Sequence, residues 1–140
     1  MKNILKLEEI GMTAIGIYLL MCHNLNISTW LWLLLFFSPD LSMVVYLVNA
    51  RIGAITYNIF HHKGIAIAVV GIGYFLKIEV VLTAGFLLFA HSSFDRVMGY
   101  GLKYFSSFND THLGKLKKDK TVVSGNFRHS LILTMEKHEK

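Results

Sequence analysis

Four apolar runs, each near the length of a bilayer-crossing helix, fill most of the first 104 residues. They lie at about Ile4 to Cys22, Ser28 to Val48, Ile52 to Leu76 and Val80 to Tyr104. Crossing a hydrocarbon layer takes about 20 largely apolar residues in a helix. Without water, every backbone N–H and C=O must find its partner within such a segment, so the runs read as helices. The expected fold is therefore all-α, a polytopic membrane bundle of four transmembrane helices in the cell membrane. Composition agrees: only 16% of residues are charged, where a soluble domain has about 25%.

The basic residues orient the bundle. Lys2 and Lys6 precede the first run, Arg51 and Lys63 flank the connection between the second and third, and Lys115 to Lys120 follows the fourth. The loop His23 to Ile27 has no Lys or Arg, and Lys77 in the third loop is offset by Glu79. Positive charge collects on the cytoplasmic side, so both termini are expected there. Residues 1–114 form the membrane domain and 115–140 a basic cytoplasmic tail, exposed or in a short surface helix. The net charge of +5 thus points to anionic membrane lipids as partners; no nucleic-acid motif accompanies it. The one cysteine, Cys22, allows no intramolecular disulfide. Glu8 and Glu9 interrupt what would be a signal peptide, so the first run reads as an uncleaved span.

Ionisable residues inside these runs are costly and by default functional. His91 and Asp95 are spaced i, i+4, which puts both on one helix face. Counted from the expected cytoplasmic ends at ~1.5 Å per residue, Asp95 lies ~14 Å deep, His91 ~20 Å, Asp40 ~12 Å, His61 and His62 ~14 Å, and Glu8 and Glu9 ~10 Å. All four spans bring such a group to nearly one level. His and carboxylate side chains pointing into a bundle suit a divalent metal, Zn²⁺, Mn²⁺ or Fe²⁺. The expected ligands are His91, Asp95, Asp40 and His61, with Asp40, Glu8 or Glu9 as base.

Plainer roles compete. Glu8 and Glu9 suit the start of a helix. Asp40 follows Pro39 and suits a helix N-terminus, with Ser38 as cap. His61-His62-Lys63 could be an interfacial cluster if the third span begins at Gly64. Asn58 is spaced to steady a histidine ligand. Gly64 and Ala68 form a small-residue pair suited to close helix contact, and Gly99 and Gly101 suit the same. Asp110 and His112 lie outside the spans, either closing the site or solvated.

Leu7-Glu8-Glu9, Pro39-Asp40-Leu41-Ser42-Met43, Tyr57-Asn58 with His61, Ala90-His91 with Phe94-Asp95-Arg96, Gly99 to Tyr104 and Asp110 to Gly114 stand in an order and spacing that resembles the small bacterial membrane proteins grouped as domain of unknown function 4260. The resemblance covers about Leu5 to Gly114. It implies a four-span membrane protein and brings no activity. A partial similarity to membrane-bound metal-dependent hydrolases rests on the Pro-Asp element and separated His and Asp residues; their fuller His and Asp pattern is missing here.

Three functions remain in view. A metal-dependent hydrolase would act on a lipid or phosphoester. A non-enzymatic assembly protein would use buried charge pairs to join helices. A proton or ion relay would need a homo-oligomer, since four spans are few for a path through one chain.

Overall fold

A computed structural model describes residues 2–105 and 110–115. The expected tail lies almost entirely outside the described residues. Five α-helices carry the fold: α1 (Lys2–Cys22), α2 (Thr29–Phe36), α3 (Ala50–Phe60), α4 (Lys63–Leu76) and α5 (Glu79–Met98). A 3-10 helix, Ser38–Leu47, joins α2 to α3, and Asp110–Thr111 pairs antiparallel with Gly114–Lys115 after α5. The remaining described residues are turns and irregular connections. Two segments, Thr29–Leu47 and α5, are long and apolar enough to cross a membrane. A third arises if α3 and α4, bent by 51° at their junction, count as one span. Although α1 has 21 residues, its apolar course is interrupted by Lys6, Glu8 and Glu9.

The helix α5 is the axis of the molecule, packing against α1 on one side and α4 on the other, while α3 packs on the 3-10 helix. Helices α4 and α5 form a hairpin turned by Lys77 in the left-handed region (φ 55°). Two glycines let them touch: a Cβ on Gly73 would lie 2.3 Å from the Leu82 nitrogen, and one on Gly85 would lie 2.6 Å from the Val70 nitrogen. Gly64, expected to serve such a contact, meets only the His62 ring.

Proline lacks an N–H and favours a helix start, and Pro39 opens the 3-10 helix. Three residues per turn give it three rows. Leu41, Val44 and Leu47 form an apolar row exposed at 69%, 58% and 87%, while Pro39 and Ser42 face inward. The fourth run ends sooner than expected. Gly99 takes a left-handed φ of 91° and closes α5 at Met98, and the N–H of Tyr100 donates to the Asp95 carbonyl. Asp95 therefore lies within one turn of the helix end. The strand after Gly99 is held by Asn58, whose amide donates to the Lys103 carbonyl (2.8 Å) and accepts from its N–H (2.7 Å).

Candidate metal centre

Two interruptions in the helices and one intact helix build the site. His91 and Asp95 stand one turn apart on α5. His61 sits where α3 stops, and Asp40 follows the break at Pro39. One ligand-type atom from each of Asp40, His61, His91 and Asp95 lies within 4.8 Å of all the others. His61 Nε2 is 3.1 Å from His91 Nε2, 3.4 Å from Asp40 Oδ1 and 3.5 Å from Asp95 Oδ2. His91 Nε2 is 3.4 Å from Asp40 Oδ1 and 3.9 Å from Asp95 Oδ1. Tetrahedral donors bonded at about 2.0–2.1 Å stand about 3.3 Å apart, close to these separations. The donor set, two imidazoles and two carboxylates, fits a divalent cation in charge and in chemistry.

The surroundings fix the donors. His61 Nδ1 lies 2.9 Å from the Tyr57 carbonyl, which can only accept. Nδ1 therefore carries the proton, and a neutral His61 turns a lone pair on Nε2 toward the cluster. Tyr57 stacks on the His61 ring at 3.8 Å, and its hydroxyl donates to Asp95 Oδ2 at 2.9 Å. Ending α3 at His61 leaves that residue's carbonyl without a helical partner; Arg96 Nη2 donates to it at 3.1 Å. Lys103 Nζ lies 5.3 Å from the Tyr57 ring centre. Burial pushes the Lys103 ammonium below the ordinary lysine range, and the Asp95 carboxylate opposes that shift. Phe36 meets the His91 ring edge-on at 5.4 Å. His91 Nδ1 is buried with no partner among the described residues.

Access is one-sided. The side chains of His61 and His91 are fully buried and Asp95 is 9% exposed, but Asp40 is 38% exposed.

The remaining expected site residues lie apart. Glu9 pairs with Lys63 and Glu8 is exposed, so neither joins the cluster. Asn58, expected to steady a histidine, holds the Lys103 backbone instead. His112 accepts from the Leu102 N–H at 2.8 Å and lies outside the cluster. Reading residue by residue missed Tyr57 and the role of Arg96. A signal existed for Tyr57, one helical turn before His61; none existed for Arg96, whose partner is a backbone carbonyl.

These features define a class: an all-helical protein with candidate membrane spans and a buried His/Asp cluster able to hold a metal. The chain belongs to the family described as domain of unknown function (DUF4260), which matches residues 2–116. No curated protein and no solved structure matches it.

Proposed function

We propose that this chain is a four-span protein of the cell membrane, both termini cytoplasmic, that holds one divalent cation and hydrolyses an ester or phosphoester of a membrane lipid. The observation that carries this reading is the convergence of one ligand-type atom from each of Asp40, His61, His91 and Asp95 within 4.8 Å. The spans would be α1, the segment Thr29–Leu47, the bent α3–α4 pair and α5. Broken helices at membrane depth are tolerated where they line a protected cavity, and both breaks here carry a ligand-type residue.

Buried His61, His91 and Asp95 would hold the ion, and half-exposed Asp40 marks the open side. That division follows catalytic zinc sites, which keep three protein ligands and one open position. Zinc is the favoured ion for this donor set and spacing, with Mn²⁺ and Fe²⁺ next. A bound ion would supply Lewis acidity. Asp40 then takes the proton from an incoming water as general base. Tyr57 and the Tyr57 carbonyl orient Asp95 and His61. A groove of about 530 Å³ lined by Leu20, Trp32, Phe36, Phe37 and Phe94 suits an acyl chain, and the Phe36 and Phe37 rings separate it from His91.

Elemental analysis of the detergent-purified full chain tests this reading. About one divalent ion per chain is expected, lost in folded His91→Ala and Asp95→Ala. Asp40→Asn should retain most of the ion and lose hydrolysis of lipid ester or phosphoester substrates. A well-folded chain that takes up no ion overturns the reading. A proton relay is the second reading, favoured by the His61–His91 contact. Its path stops at His91 Nδ1, which has no partner among the described residues.

A further inference from the structure

A second polar site borders the α3–α4 break at His62, Lys63 and Gly64. A cavity of about 500 Å³ opens among the start of α1, the start of α4 and the end of α5. Lys6, Lys63 and Arg96 line it, opposed by the single carboxylate of Glu9. Glu9 is engaged by Lys63. Lys6 makes no hydrogen bond or ion pair among the described residues, and no described carboxylate lies within 4.0 Å of the Arg96 guanidinium. Arg96 gives one N–H to the Tyr100 carbonyl (2.6 Å) and one to the His61 carbonyl (3.1 Å). Its remaining donors are open to a ligand.

Two further groups donate toward the same space. His112 Nδ1 accepts from the Leu102 N–H, so a neutral ring carries its proton on Nε2. Burial and the nearby Arg96 charge hold His112 below the ordinary imidazole range. The start of α4 also faces the cavity through His62, Lys63 and Gly64, with no side chain capping it. Uncapped N–H groups and the helix dipole favour an anion. Leu5, Leu102 and Leu113 add an apolar border.

We propose that this cavity binds a phosphate group, carried by an anionic lipid headgroup or by a small soluble molecule. Guanidinium, ammonium and helix N–H groups together match the charge and acceptors of phosphate. The volume leaves room for the group that bears it. The site stands on its own residues and does not depend on an ion at the His/Asp cluster.

The test uses the full chain in nanodiscs of phosphatidylcholine, with or without phosphatidic acid, and inorganic phosphate titrated into the former. The readouts are the thermal unfolding midpoint and metal content. Wild type should be stabilised by one probe, and Lys6→Glu should weaken that binding about tenfold or more. Lys6 is exposed and its loss spares the fold; His112→Phe gives a second variant, expected to weaken binding less. Stabilisation by phosphatidic acid alone assigns a lipid headgroup, and stabilisation by inorganic phosphate assigns a soluble ligand. No response to either probe overturns the proposal. So does a response that Lys6→Glu leaves unchanged, which would mark general attraction to an anionic surface. Unchanged metal content in Lys6→Glu separates this result from any failure of the His/Asp cluster.

Discussion

The segment Thr29–Leu47 and helix α5 are both long enough to cross a bilayer, yet they face opposite surroundings. Thr29–Leu47 is the more apolar, but only 11% of it is buried inside the protein, against 56% of α5. The fully buried large side chains of the described chain include His61, His91, Ser92, Ser93 and Thr83, whereas Leu34, Leu47 and Phe75 are among the most exposed. In water the apolar residues would be the hidden ones. Here polar side chains share the interior with Leu20, Leu82, Leu87 and Ala90, while many large apolar side chains stay on the surface. Burial in α5 reports partners within the protein, whereas the apolar character of Thr29–Leu47 has few such partners to account for it.

Substitutions can break that contrast. Leu34→Lys places a charge on the exposed face of α2, where Leu34 is 72% exposed. If that face meets lipid, the cost is about 3 kcal/mol, seen as loss of the chain from the membrane fraction. Wild-type yield would remove Thr29–Leu47 from the bilayer. Next comes Gly85→Leu, which drives side-chain volume into the Val70 backbone. A loss of about 2 kcal/mol, with a lowered thermal midpoint in detergent, is expected.

Tyr57→Phe sharpens the comparison at the cluster itself. It removes the hydroxyl that donates to Asp95. Loss of such a supporting partner should weaken metal affinity about tenfold or somewhat more, measured by competition with a chelator, with helicity unchanged. The smallest effect is expected for Leu47→Ala. Leu47 is 87% exposed, so the variant's unfolding free energy in detergent should change by less than about 0.5 kcal/mol. A larger loss would place a protein partner against that row.

The sequence carried much of this plan because its signals were local. Apolar length marks Thr29–Leu47 and α5, and the i, i+4 spacing puts His91 with Asp95. Pro39 and His61-His62-Lys63 mark the two breaks. What stayed hidden depends on backbone groups that no side-chain pattern encodes. Arg96 answers a carbonyl freed by the break at His61. Asn58 grips the Lys103 backbone from 45 residues away. The early end of α5 turns on the backbone angle of Gly99, in a stretch whose composition alone suits a longer helix. Glu9 was legible as an acid within an apolar run, but its partner Lys63 lies 54 residues on.

The 3-10 helix also changes how far the chain reaches. A residue advances about 2.0 Å in a 3-10 helix and about 1.5 Å in an α-helix. Eight α-helical residues of α2 followed by ten in 3-10 form extend roughly 32 Å, or about 34 Å with Phe37 between them. As a continuous α-helix, the same 19 residues would extend only about 28 Å. The hydrocarbon layer is about 30 Å thick. If Thr29–Leu47 crosses that layer as proposed, the tighter winding lets a short segment match its thickness with Asp40 near its middle.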